Sequence, residues 1–160
     1  MESQTKLICC KIINMKIVNK KAQFNYKLLD RFEAGIVLTG SEVKAVKKGH
    51  IDLTGSYAKI AENEIYLINT NISGQKDVSD PTRSRKLLLK KSEIFSIISK
   101  IKAKKLTLIP TKVYTKGRLI KIEIALAKSK KNFEKKESIK IKDIKREIEQ
   151  EIKGRNIRGR

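Results

Sequence analysis

The chain has two cysteines, one histidine, two prolines and no tryptophan among its 160 residues. Cys9 and Cys10 are neighbours. A disulfide between them would be strained and would close no useful loop, and no second cysteine pair exists to complete a zinc site. A reducing cytosol is the economical setting, so a cytoplasmic location is expected. His50 follows Gly49 in an expected turn and has no evident catalytic partner. No apolar run approaches the roughly 20 residues of a membrane span. Residues 7–18 are mildly apolar, but Lys11, Asn14 and Lys16 interrupt them and no small-residue cleavage site follows, which argues against a signal peptide. Also missing are a glycine-rich phosphate loop, a histidine pair, a cysteine nucleophile setting and a carboxylate pair at metal-binding spacing. No catalytic residue, metal or cofactor is expected.

Acidic residues are scarce too: 17 Asp and Glu stand against 38 Lys and Arg, for a formal net charge of +21. That excess is more than solubility needs. It favours a polyanionic partner through counterion release, nucleic acid first and an anionic membrane surface as the competitor.

The length fits one domain with a tail. Met15 opens a segment that reads as a plausible second start, so residues 1–18 are expected to be a flexible leader. Residues 25–30 and 32–38 read as two strands with a polar kink at Asp30-Arg31. Thr39-x-x-Glu42 has capping-box spacing and opens a short helix over 40–48, with Val43 and Val46 on one face. Two strands, 56–61 and 64–70, flank a tight turn at Glu62-Asn63. Residues 71–85 read as a long polar loop. Ile94, Ile97, Ile98 and Ile101 recur at helical spacing over 90–104. Residues 106–114 and 118–128 form a hairpin around Lys116-Gly117, with Ile120, Ile122, Ile124 and Leu126 alternating toward a core. Pro110 removes a ladder donor and marks an edge or a bulge.

From Ser129 onward Lys, Arg and Glu dominate, and Ile141, Ile144, Ile148 and Ile152 make one narrow helical stripe. Alone such a helix is marginal in water. Residues 129–160 are therefore expected to be a basic tail, disordered or partly helical when free, that folds on a partner. The remainder, 19–128, is expected to be mainly β: a small barrel of the oligonucleotide-binding (OB) type with added helices.

Three stretches carry chemistry. Asp80-Pro81-Thr82-Arg83-Ser84-Arg85-Lys86-Leu87-Leu88-Leu89 is either a turn leading into an apolar segment or a phosphate site, with Arg83, Arg85 and Lys86 as donors. Ala125-Leu126-Ala127-Lys128-Ser129-Lys130-Lys131 is either a strand running into a solvated linker or a strand that delivers lysines to an RNA backbone. Phe32-Glu33-Ala34-Gly35 through Lys44 joins a strand to the capped helix, and Glu33 taken alone is an ordinary strand-surface carboxylate.

Taken together, and with Asn19-Lys20-Lys21-Ala22 and Tyr26 ahead of them, these stretches resemble the SsrA-binding protein (small protein B, SmpB) family in order and spacing over about residues 19–137. The resemblance implies an OB-like barrel that binds the tRNA-like domain of transfer-messenger RNA. It implies delivery of that RNA to stalled ribosomes, where the protein stands in for a missing anticodon arm and the nascent peptide is tagged. No reaction is catalysed by such a chain. The implied RNA-binding positions are Glu33, Leu88, Lys121, Lys128, Lys130 and Lys131, besides Arg83, Arg85 and Lys86. The implied partners are transfer-messenger RNA and the ribosome, at the small-subunit decoding region and the mRNA path; a monomer without membrane contact is expected. Where the family commonly has an aromatic or His followed by Asp-Lys-Arg, this chain has Phe133, Glu134, Lys135 and Lys136, the expected ribosome-contacting segment. Ser129 replaces a family glycine, and Ser73-Gly74-Gln75 replaces Ser-Pro-aromatic. A basic ribosomal or ribosome-assembly protein is the competing reading. It would prefer ribosomal RNA over a free tRNA-like fold.

Overall fold

The computed structural model describes residues 15–73 and 80–157. The leader positions 1–14, Gly74 and Gln75 of the altered loop, and the last residues of the tail lie outside them.

Long antiparallel strands dominate. In ring order they are β8 (Thr107–Lys116), β4 (Tyr57–Ala61), β5 (Glu64–Ile68), β7 (Arg85–Leu88), β2 (Tyr26–Ile36) and β9 (Leu119–Ser129). β9 pairs again with β8, so these six strands close on themselves. Closure at the other side of β8 rests on one residue pair with β4, Ala58↔Leu108. β1 (Lys16–Val18) adds to the outer edge of β8, and the two-residue strands β3 (Ile51–Asp52) and β6 (Asn71–Ile72) pair separately. A small closed barrel abolishes free sheet edges along its ring. The expected fold class, mainly β with added helices, is what the chain adopts; the ring has six strands where the OB pattern has five.

The alternation of β9 fixes the core. Ile122, Ile124 and Leu126 are buried inside the ring with Ile65, Leu67, Leu87, Leu108 and Val113. The helix α3 (Lys91–Lys104) closes one end, burying Ile94 and Ile97 with Ile98 and Ile101 partly covered. It stops at Lys105, held in the left-handed region at φ 47°. The turn Glu62-Asn63 has φ of 50° and 61°, as a two-residue hairpin turn needs.

Three expectations change and two points gain detail. Residues 26–36 are one strand, not two; the suspected kink is a one-residue bulge between Leu28 and Arg31 on β2 opposite β9. Pro110 sits at a second bulge, where Thr111 is the extra residue between the pairs Pro110↔Ile124 and Lys112↔Glu123. The segment after Asp80 is not simply a turn into a helix, because residues 85–88 form β7 inside the ring. The short helix α1 (Lys20–Asn25) had no periodic signal; the buried Asn19 side chain caps it by accepting from the Ala22 amide at 3.0 Å and donating to the carbonyls of Leu53 and Pro110. Finally, residues 16–18, placed in the flexible leader by sequence, are sheet: Ile17 pairs with Val113. The long basic segment forms one helix, α4 (Asn132–Ile157), on which Phe133, Ile141, Ile144 and Ile148 are exposed.

Candidate nucleic-acid interface

The ribbon of β2 and β9 carries most of the expected site residues, and its register arranges them. Leu88 on β7 pairs with Gly35 on β2, Gly35 with Lys121 on β9, Lys121 with Tyr114 on β8, and Tyr114 with Lys16 on β1. One row of residues thus crosses five strands. Glu33 lies two residues before Gly35, on the same outward face. Its carboxylate accepts from the Tyr114 hydroxyl and from the Lys121 ammonium. These bonds, Lys121 first and Tyr114 second, hold the Glu33 carboxyl below the usual carboxylate range. Burial and then the Glu33 bond push the Tyr114 phenol up to about 12, so it keeps its proton.

A second polar cluster adjoins the first. Glu123 accepts from Lys112 at 2.7 Å and from the Thr111 hydroxyl at 2.7 Å, with Arg31 at 3.7 Å. Burial pushes the Glu123 carboxyl up, but Lys112 and Thr111 outweigh it and the net shift is down. The Thr111 bulge is what turns this hydroxyl toward Glu123. The outer face of β2, β9 and β8 is therefore a fixed alternation of acids and bases, able to read hydrogen-bonding groups rather than only attract charge.

The other end of the same ribbon is different in kind. Lys27 and Lys128 are directly paired across β2 and β9, both exposed, and neither meets a carboxylate among the described residues. Like charges facing each other cost stability in a free sheet. An anionic backbone laid over them would remove that cost. Lys130 is tied down by its amide on the Asn25 carbonyl at 3.0 Å and by its ammonium on the Gln23 carbonyl at 3.3 Å. The Lys131 amide donates to Glu134, which starts α4. Lys121 and Lys128 are seven residues apart, about 23 Å along a strand. The sequence-derived residues accordingly fall into two groups at the two ends of one ribbon, not into one patch. Lys135 and Lys136 lie farther along, in the first turns of α4, and Phe133 beside them is exposed to 75%.

One expected phosphate ligand is corrected, and a second is partly engaged inside the protein. Arg85 is fully buried: its Nε donates to Glu42 at 2.9 Å, Nη1 to the carbonyls of Thr70 and Arg83 at 2.8 and 2.9 Å, and Nη2 to the carbonyl of Pro81 at 2.9 Å, with Glu42 Oε1 2.8 Å from Nη2 as well. No donor is left for RNA. Arg83 closes on the same carboxylate, with Nε at 2.9 Å and Nη2 at 2.5 Å. Glu42 is itself 1% exposed and also accepts from the Thr39 amide at 2.8 Å, completing the capping box of α2 (Gly40–Lys47). Burial pushes Glu42 up, yet Arg83, the Thr39 amide and Arg85 override it and hold it at about 2. Lys86 is half-exposed but engaged with Glu64. This basic stretch thus bolts β7 to α2, and only Arg83 and Lys86 keep an exposed edge.

Sequence reasoning missed Tyr114, Lys27, Lys112 and Arg31. Tyr114 was findable, because Lys112, Tyr114 and Lys116 alternate outward on β8 beyond the proline bulge. The pairing of Lys27 with Lys128 carries no local signal.

Among the described residues no three of His, Cys, Asp and Glu gather into a metal site, and no helix is long and apolar enough to cross a membrane. Geometry and charge define an antiparallel β protein with a polar reading face, a basic strand end and a basic helix, the layout of an RNA-binding adaptor. The chain belongs to the SmpB family: the family model described as SmpB protein matches residues 16–154. It is 49% identical to the SsrA-binding protein of Sulfurihydrogenibium sp. (strain YO3AOP1) over 141 residues, covering 86% of this chain and 93% of that protein. It is 46% identical to the SsrA-binding protein of Persephonella marina (strain DSM 14350 / EX-H1), covering 89% of this chain and 97% of that one. A chain of the solved structure "tmRNA-SmpB: a journey to the center of the bacterial ribosome" superposes with a TM-score of 0.63 at 40% identity, covering 73% of this chain and 85% of that one.

Proposed function

We propose that this chain binds the tRNA-like domain of transfer-messenger RNA and delivers it to stalled ribosomes for trans-translation, so that the ribosome is rescued and the nascent peptide is tagged for degradation. The observation that carries this reading is membership of the SmpB family across residues 16–154, alongside relatives named for SsrA binding. The chain works as a cytoplasmic monomer and catalyses no reaction itself. Glu33, Leu88 and Lys121 read the RNA at one end of the β2–β9 ribbon; Lys128, Lys130 and Lys131 hold its backbone at the other. Residues 129–160 act as a basic tail that engages the small-subunit decoding region and the mRNA path, with Phe133, Glu134, Lys135 and Lys136 at its start. The exposed isoleucine stripe of α4 supports this assignment, since a helix with an uncovered apolar face gains most by folding against a partner.

The test is to capture the protein from a lysate of its source and sequence the bound RNA. Transfer-messenger RNA should dominate. Enrichment of ribosomal RNA alone would turn the assignment toward a ribosome-assembly protein.

A further inference from the structure

The motif Asn19-Lys20-Lys21-Ala22 helps to carry the family resemblance, but the reading face of β2, β9 and β8 contains none of its four residues. In the fold it sits where β1 ends and α1 begins, against an edge of β8 that the neighbouring strands leave incomplete. β1 pairs with Lys112–Tyr114 of β8, and β4 meets β8 at Leu108. Residues 109–111, around the proline bulge, are paired by neither strand. Asn19 fills this gap. Its backbone amide donates to the Thr111 carbonyl at 2.8 Å. Its Nδ2 donates to the carbonyls of Leu53 at 2.8 Å and Pro110 at 3.1 Å, while its Oδ1 accepts from the Ala22 amide at 3.0 Å and so starts α1. One buried side chain thus uses both of its donors and its acceptor at once.

The far end of α1 holds the root of the tail. α1 ends at Asn25 and the chain enters β2 at Tyr26 without a break. The last β2–β9 pair is Tyr26↔Ser129, and beyond it the Lys130 amide donates to the Asn25 carbonyl at 3.0 Å. The Lys130 ammonium reaches the Gln23 carbonyl at 3.3 Å, and α1 also lies against α4. The path from β9 into α4 is therefore set by a helix of 6 residues whose only buried member is Ala22. A helix that short does not hold itself, and one alanine gives it little to pack with. The Asn19 bonds to Leu53 and Pro110 tie it to the barrel.

Resting on the trans-translation reading above, we propose that Asn19 is a positioning residue for the tail: it fixes α1 against the barrel, and α1 in turn sets the direction in which α4 leaves β9. Asn19 touches no RNA in this role. Aspartate and serine cap a helix as well as asparagine does. Aspartate, however, would set a carboxylate oxygen against two carbonyls, and serine is too short to reach both. Either substitution keeps α1 started while releasing its tie to Leu53 and Pro110.

The experiment uses the full chain with Asn19→Asp and with Asn19→Ser. Tagging of nascent peptide on stalled ribosomes is measured with transfer-messenger RNA saturated by protein, so that binding does not limit the rate. Both variants should tag about tenfold more slowly, well within what a small misplacement costs. Their log–log salt slope for the tRNA-like domain should fall by no more than about 0.7–0.9, the share of the single Lys130 contact. Tail direction is read separately. In a chain with Cys9 and Cys10 replaced by Ser, nitroxides are placed at two exposed positions through Lys59→Cys on β4 and Glu137→Cys on α4. Double electron–electron resonance should give one narrow distance distribution, which Asn19→Asp and Asn19→Ser broaden. Thermal melts set a temperature at which every variant is folded. Folded variants that tag at the wild-type rate, or that keep the narrow distribution, overturn the positioning role and leave Asn19 as a stabilising cap. Loss of domain binding in step with tagging overturns it too. Wild-type chain that tags no peptide overturns the functional reading alone, and the label distances then decide the positioning by themselves.

Discussion

Arg85 and Glu42 form an ion pair that water does not reach: their side chains are 0% and 2% exposed, with Nη2 and Oε1 2.8 Å apart. A strand of the ring and the first turn of α2 are joined through this carboxylate, and Arg83 shares it. Removing one member of such a group leaves an uncompensated buried charge, which costs far more than the pair contributes. Glu42→Ala should therefore destabilise the fold by about 3–5 kcal/mol in equilibrium denaturation. Arg85→Ala should also lose stability. Measured in the cold, where the variant remains folded, it should keep the wild-type salt slope for RNA. A slope lowered by about one unit would return Arg85 to the phosphate site.

The same carboxylate gives a pH signature. Its folded value of about 2 lies below the ordinary 4.5, so its stabilisation is fully present above pH 4.5 and is lost as the pH falls from there toward 2. Glu42→Gln cannot titrate at that site. The stability gap between wild type and Glu42→Gln should stay constant above about pH 5 and narrow steadily below 4.5, because carboxylates common to both cancel. A gap independent of pH down to 2 would contradict the assignment.

The Tyr114–Glu33–Lys121 unit separates recognition from charge. On a generic basic protein, Glu33→Gln removes a repulsive charge and tightens RNA binding. If Glu33 accepts from RNA or orients Lys121, the same change weakens binding to the tRNA-like domain and barely alters binding to an unrelated duplex. Tyr114→Phe deletes only the hydroxyl that steadies Glu33 and should reproduce that loss in smaller measure. Titration of both variants against both RNAs reads the sign directly.

At the other end of the ribbon, changing Lys128, Lys130 and Lys131 together to Ala should flatten the salt slope by about two to three units, roughly 0.7–0.9 for each phosphate released. An unchanged slope would move the RNA to another face.

The tail prediction concerns α4, whose start is held by the Lys131 amide on the Glu134 carboxylate and by the Lys135 amide on the Lys131 carbonyl. A chain ending at Lys131 should keep the barrel and its affinity for the tRNA-like domain while losing peptide tagging on stalled ribosomes. Full tagging by the truncated chain, or failure of the truncated chain to fold, would refute the division at residue 129.

Local signals in the sequence served well wherever the deciding partner was near. Thr39 and Glu42 are three residues apart, and the capping box they suggest is present. The alternation of β9 named Ile122, Ile124 and Leu126 as buried, but not Ala125 and Ala127, which are covered on the other face. What the sequence hid was partnership at a distance. Glu42 meets Arg83 and Arg85 across 41 and 43 residues, so guanidiniums that look like phosphate ligands turn out to be spoken for. A clue was available: Glu42, Ala45 and Val46 stand at i, i+3 and i+4, and a carboxylate on a buried helical face demands a cation. The row through Gly35 was likewise invisible, because it exists only in the register of five strands.

The single pair Ala58↔Leu108 that joins β4 to β8 makes the ring a clasp rather than a weld. The opposite flank of β8 runs beside β9 from Thr107 to Lys116, so opening the ring at β4 separates the fewest paired residues. Thermal breathing should begin there, with amides around Ala58 exchanging with solvent by local opening while those at Ile122 and Ile124 wait for global unfolding. Leu108 also pairs with Leu126, two residues before Lys128, so the basic strand end lies beside the seam, while Glu33 and Lys121 stand toward the other end of β9. Such a barrel can flex at its clasp while the Glu33–Lys121 end of the ribbon stays paired.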